Sequence, residues 1–325
     1  MSRRLKRSIL LAIKAYGAKD YLDAERLYSL GISQHATDPD AHLLYLNRGA
    51  CNMALERYSA AMTDVDTALD LVQHKLQVCG LASQEYDATI KWDEKARLRR
   101  AKCFYKLREW RKARDAYVDV LERFPDSKEA HTGLKQSMAR LDEESKGTYD
   151  YLALYLQDRG KGQHRLDVAD YIGPIEISHS TEHGRILRTT RAVKAGELLL
   201  ANKAIAAVFP SDWAGGKTRK NSNLLRFVED TPSASRLPTE LTYKWIHQPQ
   251  LRTTLERLPR GSDVKQPKTF PIADMYKSKP KEEGEKPLDP NMIDRIATFA
   301  GITYDSLNYQ GTGVNLINPL EIGDP

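Results

Sequence analysis

The chain has 325 residues, of which 41% are hydrophobic and 29% are charged. This length accommodates two domains with separate cores, and the composition is that of a soluble globular protein. The formal net charge is +6. Because charges of both signs are spread along the chain, this excess permits an acidic partner but does not predict nucleic-acid binding.

The cysteines and apolar runs indicate a cellular environment. The three cysteines, Cys51, Cys79 and Cys103, lie in the first third of the chain. Their number and spacing fit neither a disulfide framework nor a zinc site, so we expect no metal and a cytoplasmic or nuclear location. No apolar run approaches the roughly 18 residues of a membrane helix, so no membrane association is predicted. The basic N-terminus is similar to a targeting signal, but Lys14 interrupts its apolar patch, and we interpret it as a repeat helix.

The first 146 residues contain an internal repeat. Three segments, beginning at Tyr21, Tyr58 and Trp110, place an alanine three positions after the aromatic residue and a small residue twelve positions before that alanine. This spacing predicts pairs of helices that approach closely. The segments resemble tetratricopeptide repeats with insertions between them. We therefore predict an α-solenoid of three repeats over residues 1–146, closed by a capping helix from Ser127 to Lys146.

A solenoid of this kind has a concave surface on which a partner can bind. Some tetratricopeptide repeats hold acidic C-terminal chaperone tails with a clamp of Asn, Lys and Arg, which form charge-assisted hydrogen bonds to carboxylates. The resemblance implies Asn47, Lys95 and Arg99 as peptide-binding residues. Ile9 and Ile13 stand where that clamp has Lys and Asn. Two interpretations stay open: a protein or peptide with an acidic C-terminal tail, or a groove with another ligand or none.

Residues 147–170 are predicted to form a linker that begins as a helix and continues as a loop. Residues 171–210 are the main β-structure of the sequence, with short apolar runs that end at turn signals. These turns are expected at Gly173-Pro174, His183-Gly184 and Ala195-Gly196.

The β-segment contains Gly184-Arg185-Ile186-Leu187, followed by a Lys-x-Gly-Glu turn at residues 194–197. Together with the preceding repeats, it resembles fungal tetratricopeptide proteins that carry a SET domain, relatives of the SET-and-MYND protein methyltransferases. The resemblance implies S-adenosylmethionine as a cofactor, with Gly184, Arg185, Ile186 and Leu187 as cofactor-binding residues. Ile186 stands where the family has a second glycine, and a side chain there is expected to crowd the cofactor.

The other catalytic motifs that SET domains need are absent from the sequence. Catalysis in SET domains needs an Asn-His-Ser-Cys segment and a late tyrosine, and the sequence has no Asn-His pair and no cysteine after Cys103. We therefore assign no catalytic residue and expect no bound cofactor. His179 and His183 flank a turn without ligands at a suitable spacing, so no metal site is predicted there. The expectation is an incomplete SET domain in a truncated or degenerate relative of protein-lysine methyltransferases.

Residues 211–325 are predicted to form a helical insertion, a polar linker and a tail. The sequence favours two short helices on either side of Pro249, a mobile linker over residues 261–290 and a helix from Asn291 to Ala300. Residues 311–325 have no readable period. Gly216-Lys217-Thr218 lacks the glycine that a phosphate-binding loop requires five residues earlier.

The predicted fold class is α+β: an α-solenoid of tetratricopeptide helix pairs, then a partial, mainly β SET-like segment with helical and disordered additions. The favoured function is a protein-interaction scaffold, and the alternative is an active SET protein-lysine methyltransferase. If the scaffold interpretation holds, strands within residues 171–209 should keep unpaired edges and exchange amide hydrogens faster than the repeats.

Overall fold

The computed structural model describes residues 3–79, 83–160, 165–182, 184–209, 221–223, 228–230, 232–256, 292–293, 301–306 and 309–314. The chain divides into two units. The first contains the residues up to Asp150 together with Asp167–Gly173, and the second contains Tyr151–Leu166 and the residues from Pro174 onward.

The first unit is a succession of helices in which each packs mainly on its neighbours in sequence. The helices are α1 (Arg3–Gly17), α2 (Tyr21–His35), α3 (His42–Ala54), α4 (Tyr58–Val78), α5 (Gln84–Lys106), α6 (Trp110–Arg123) and α7 (Lys128–Lys146). This helical solenoid, followed by a small β part, confirms the predicted fold class.

Small residues allow the two helices of each pair to approach. Ala24, Ala61 and Ala113, the alanines of the repeat, are all fully buried. A β-carbon on Gly49 would lie 3.4 Å from side-chain atoms of Asp64 and Val65, which is ordinary contact with almost no spare space. The close packing of each pair follows directly from the sequence pattern.

The turns within the three pairs share one conformation. Lys19, Glu56 and Arg108 have φ angles of 62°, 56° and 64°, each two residues before the second helix of its pair begins. Non-glycine residues seldom adopt a left-handed conformation, so its recurrence shows that the same turn is built three times. The sequence did not reveal this equivalence because the three residues differ.

The segment Asp167–Gly173 packs against the end of the helical array. Ala169 is 2% exposed and belongs to the core cluster formed by α5, α6 and α7. The sequence predicts a linker over residues 147–170. That assignment differs from the structure because the segment is held by side chains distant in sequence rather than by a local pattern.

The second unit contains several short helices and strands. Its helical segments are α8 (Tyr151–Tyr155), a π-helical turn (Leu156–Gly160), α9 (Pro232–His247), a 3-10 turn (Pro249–Leu251) and α10 (Arg252–Glu256). The described strands, of which β1 belongs to the first unit, are β1 (Tyr171–Ile172), β2 (Ile175–Ser180), β3 (Gly184–Thr189), β4 (Leu200–Ala201), β5 (Ala206–Val208), β6 (Asn221–Asn223), β7 (Val228–Asp230), β8 (Gly301–Ser306) and β9 (Tyr309–Val314).

The described strand pairs of the second unit are antiparallel. β2 pairs with β3, with Ile175 opposite Thr189, and β6 pairs with β7. A three-stranded sheet has the order β5-β9-β8, with Ala206 opposite Val314. The tail, in which the sequence showed no period, thus supplies strand β9. Its sequence, with glycines at 311 and 313, has no alternation of apolar and polar residues, which is the usual sequence signal for a strand.

The second unit has its own hydrophobic core. It comprises Ala206, Val208, Leu237, Leu241, Trp245, Leu255, Met292 and Ile293. Two helices lie on either side of Pro249, as expected from the sequence. Met292 and Ile293 are helical, whereas the rest of the predicted helix from Asn291 to Ala300, the predicted linker over residues 261–290 and Gly216-Lys217-Thr218 lie outside the described residues.

Candidate functional site: the groove around Arg99

Arg99 on α5 lies in the interior of the array. Its guanidinium donates a hydrogen bond to the carbonyl oxygen of Leu46 on α3. Burial lowers the pKa of Arg99 from its usual value. The groups that act in the opposite direction on this pKa are phenols and thiols: Tyr16, Tyr28, Cys51 and Cys103. Since phenols and thiols are uncharged at neutral pH, none of them neutralises the guanidinium.

Three other partly buried arginines of the array, Arg48, Arg97 and Arg140, have carboxylate partners. The shortest N–O distances are 2.5 Å from Arg48 to Asp64, 3.0 Å from Arg97 to Asp93, and 2.5 Å from Arg140 to Glu143. Within the part of the chain that the structure describes, Arg99 has no such partner. A partly buried cation without a counterion leaves a local positive potential in the groove.

Asn47 and Tyr28 form the wall beside Arg99. The Asn47 side chain on α3 lies beside Tyr28 on α2 and acts to lower the pKa of its phenol. Burial, and then the neighbouring Cys51, raise the pKa of Tyr28 to about 12, so its phenol stays protonated. Asn47 is only partly buried and therefore still accessible to a ligand.

Lys95 stands one turn before Arg99 on α5 and is exposed. Its ammonium nitrogen lies 4.8 Å from the ring centroid of Trp92, in a cation–π contact. Burial, and then the positive charge of Arg99, lower the pKa of Lys95. No acid pairs with Lys95 among the described residues. Two neighbouring cations therefore face the same region without compensation.

The structure brings the three predicted groove residues, Asn47, Lys95 and Arg99, into one place. Their role in peptide binding stays a prediction. Tyr16 and Trp92 also belong to the site, but the sequence offered no signal for them because neither lies on a repeat position. The two isoleucines differ: Ile9 is 7% exposed and Ile13 is 49% exposed, so only Ile13 presents substantial apolar surface.

The four residues implied to bind a cofactor lie at the start of β3. In the register with β2, Gly184 is opposite Ser180 and Leu187 is opposite Ile177. Leu187 is 50% exposed, and neither β2 nor β3 has a second neighbouring strand in the described part of the chain. Among the described residues no further strand encloses this hairpin, and the role of these four residues in cofactor binding stays a prediction.

The Lys-x-Gly-Glu motif is a hydrogen-bonded turn. Gly196 has a φ of 81°, a left-handed conformation that glycine adopts without strain. The Glu197 carboxylate accepts a hydrogen bond from the Lys194 backbone N–H at 3.0 Å and lies 2.5 Å from Arg191. The bond from Arg191, followed by that from Lys194, lowers the pKa of Glu197. These contacts account for the motif structurally.

The described residues contain no group of three or more His, Cys, Asp or Glu side chains able to hold a metal ion. His183 and the side chain of His179 lie outside the part described. No described helix is both long enough and apolar enough to cross a membrane.

Comparisons with known proteins place the chain near one named protein. No family model matches it. It is 26% identical over 289 residues to a protein of Gibberella zeae named "Methyltransferase". The alignment covers 88% of this chain and 36% of that protein, so the chain spans about a third of the relative's length. The chain is thus a helical-repeat protein related to a fungal protein named as a methyltransferase.

Two solved structures are similar to part of the chain. The Sgt2 TPR domain from Aspergillus fumigatus is 18% identical, with a TM-score of 0.35 and coverage of 44% of this chain and 82% of that chain. The Hsp90 co-chaperone Cns1 from Saccharomyces cerevisiae is 23% identical, with a TM-score of 0.36 and coverage of 50% and 44%. At these sequence identities and TM-scores, neither structure indicates a ligand for this chain.

Proposed function

We propose that the chain is a protein-interaction scaffold whose helical array binds a peptide carboxylate at Arg99 and Lys95. The observation that carries this proposal is Arg99 itself, a partly buried guanidinium that has no carboxylate partner among the described residues. A ligand carboxylate would supply the missing counterion and form charge-assisted hydrogen bonds. In a partly enclosed groove these bonds are screened less than on an open surface.

The surroundings of the two cations suggest the kind of peptide. Asn47 provides a neutral hydrogen-bonding group beside Arg99, and Ile13 and Tyr16 on α1 provide exposed apolar surface. This combination suits an acidic group next to an apolar side chain. An acidic C-terminal tail is one ligand of this chemistry, although Ile13 replaces a polar residue of the family's clamp.

The proposal can be tested with the full chain and a fluorescent acidic C-terminal peptide, with anisotropy as the readout. Replacing Arg99 by alanine should weaken binding about ten-fold or more, because the main carboxylate contact is lost. The matched control is Arg100→Ala, since Arg100 lies next in the sequence but pairs with Asp66 at 3.0 Å. Equal affinity of the wild type and Arg99→Ala, or no binding by either, would overturn the proposal.

A second version of the peptide locates the recognised group. If a terminal carboxylate is bound, C-terminal amidation should reduce affinity as much as Arg99→Ala does. If an acidic side chain is bound, amidation should have little effect, whereas neutralising that side chain should abolish the difference between wild type and Arg99→Ala. Either result supports a carboxylate at Arg99. If neither modification of the peptide weakens binding, the proposal is contradicted.

A second candidate function is S-adenosylmethionine-dependent protein-lysine methylation. The similarity to the Gibberella zeae protein favours it, and the resemblance of residues 171–210 to the opening of a SET domain agrees with that relationship. Under the scaffold proposal, this segment derives from such a domain but this chain alone does not bind the cofactor. Under the methylation proposal, it does. Calorimetric titration with S-adenosylmethionine tests this: saturable binding that is lost in Gly184→Val would favour the enzyme instead.

A further inference from the structure

The segment Asp167–Gly173, hereafter the strap, is held against the array in the manner of a bound peptide. The strap residue Ala169 is buried, and its N–H donates a 2.8 Å hydrogen bond to Glu143 Oε2. Its carbonyl oxygen accepts a 2.8 Å hydrogen bond from the Tyr149 hydroxyl. Both backbone groups of a buried residue are thus satisfied by side chains, one on α7 and one just after its end, rather than by secondary structure.

Two acidic side chains flank Ala169, and each has its own partner. Asp167 accepts a 2.8 Å hydrogen bond from the Tyr105 hydroxyl on α5. Burial, and then the Asp167 carboxylate, raise the pKa of Tyr105, so the phenol keeps its proton and acts as a donor. Asp170 lies 2.9 Å from the guanidinium of Arg108. The surface therefore recognises acids three positions apart on either side of a small buried residue.

The residues that hold the strap are themselves positioned by the array. The Arg108 guanidinium carbon lies 5.6 Å from the ring centroid of Trp110, and the Tyr105 and Trp110 rings are 5.0 Å apart in an edge-to-face arrangement. Arg140 pairs with Glu143 at 2.5 Å and so orients the carboxylate that accepts the Ala169 N–H. These contacts lie within the helices and their turns, and do not require the strap.

The strap residue after Asp170 also has a shaped site. A β-carbon on Gly147, which ends α7 in a left-handed conformation, would lie 2.7 Å from the Tyr171 ring. The absence of a side chain at Gly147 therefore leaves room for an aromatic ring. Together these features define an acidic residue, a variable position, a small residue, a second acid and an aromatic residue in order.

We propose that this end of the array is a second peptide site, specific for the pattern Asp-x-small-Asp-aromatic, with the strap as its ligand in cis. A separate peptide of the same pattern binds there when the strap is released. Because the strap is covalently tethered, its effective concentration is high, and it excludes a free peptide from the wild-type chain. The site is distinct from the groove around Arg99 and uses none of its residues.

The test uses a fluorescent peptide with the sequence of residues 165–173 and two forms of the full chain. Asp167→Ala combined with Asp170→Ala weakens the strap while leaving its receptor intact, and circular dichroism checks the fold. We expect saturable binding to this strap variant and binding to the wild type weaker by about ten-fold or more. No binding to the strap variant, or equal binding to both forms, would overturn the proposal.

Receptor substitutions establish where the peptide binds. In the strap variant, Arg108→Ala should reduce affinity about ten-fold, because an ion pair with the peptide is lost. A peptide with asparagine at both acids is the matched ligand control and should bind as weakly. Arg99→Ala should leave binding unchanged. If Arg99→Ala abolishes it, the peptide occupies the groove and the second site is refuted, whatever the outcome for the groove's own ligand.

Hydrogen exchange in the wild type gives an independent measurement. The Ala169 amide should be strongly protected and should lose that protection in the strap variant. Exchange of this amide at the rate of an unstructured peptide in the wild type would contradict the cis contact. If these results hold but the acidic peptide does not bind at Arg99, the proposed scaffold ligand is refuted and the strap site is still supported.

Discussion

At the scale of single residues, burial decides what two neighbouring acids on α4 contribute. The side chain of Asp64 is 3% exposed, lies 2.5 Å from Arg48 and accepts a 2.9 Å hydrogen bond from Asn52. The side chain of Asp66 is 47% exposed and lies 3.0 Å from Arg100. The two ion pairs have similar N–O distances, but only the first is largely removed from water.

Replacing Asp64 by alanine should lower the free energy of unfolding by about 3–5 kcal/mol, since Arg48 would stay enclosed without a counterion. Asp66→Ala, on the same helix, should change it by less than about 1 kcal/mol, because water screens the exposed pair. Urea denaturation followed by circular dichroism measures both. Similar effects of the two substitutions would show that burial does not govern these pairs.

His42 is the residue from which we expect a pH effect on stability. It is 2% exposed, and its ring lies edge-on to Trp92 with centroids 6.3 Å apart. Burial, and then the nearby Lys75, lower the pKa of His42, while Asp40 acts in the opposite direction. The folded chain therefore binds a proton at this ring less readily than the unfolded chain, whose histidine has a pKa of about 6.5.

Because the unfolded state takes up the proton first, His42 should cost stability as the pH falls through about 6.5. We expect the melting temperature to drop between pH 7.5 and pH 5.5, and His42→Gln to reduce that drop. The exposed His74 offers a control, since His74→Gln should leave the drop unchanged. An equal drop in His42→Gln and wild type would exclude His42 as the cause.

At the scale of elements, Gly133 determines how α7 packs on α6. A β-carbon at this position would lie 2.2 Å from the ring of Tyr117, which is 3% exposed. The helices therefore approach at a point where only glycine fits. Alanine is the better helix former by about 1 kcal/mol, so propensity and packing predict opposite effects for Gly133→Ala.

We expect packing to prevail, with Gly133→Ala destabilising the array by about 1–3 kcal/mol. Gly17 ends α1, and a β-carbon there has no neighbouring atom within 4 Å, so Gly17→Ala should be neutral or slightly stabilising. Thermal or urea unfolding of the two variants measures the difference. Stabilisation by both would mean that α7 can shift to accept the methyl group.

The β2–β3 hairpin should be less protected than the three-stranded sheet that contains β5. It has two strands and no further neighbour among the described residues, and such a pair is only marginally stable. Strand β5, by contrast, pairs with β9 and packs in the core of the second unit. We therefore expect amides of residues 184–189 to exchange faster than those of residues 206–208 and of α3–α6. Equal protection would indicate that the hairpin is covered.

At the scale of the whole molecule, the two units have separate cores. Leu44 is fully buried in the first, and Leu241 is fully buried in the second. Each substitution to alanine should cost its own unit about 2–5 kcal/mol, because a cavity replaces buried apolar contacts. Hydrogen exchange resolved along the chain should show the loss in one unit at a time. A loss in both units from either substitution would show that they unfold together.

How much of this fold could be predicted depends on how far apart in the sequence the contacting residues lie. The helix pairs were predicted because the small residues that pack them recur at fixed local spacing. Asn47, Lys95 and Arg99 were found through resemblance to known repeats. The strap and strand β9 were missed, because the partners of the strap lie 20 to 62 residues away and β9 has no alternating pattern.

The helical array could be predicted without the structure, since the periodic placement of Ala24, Ala61 and Ala113 encodes close packing between adjacent helices. The sequence also pointed to the cations of the groove. Only the tertiary structure decided that Arg99 lacks a carboxylate partner among the described residues while Arg48 has one. It alone placed an acidic segment on Tyr105 and Arg108. Charge compensation and burial depend on which distant side chains meet in space, and no local pattern contains that information.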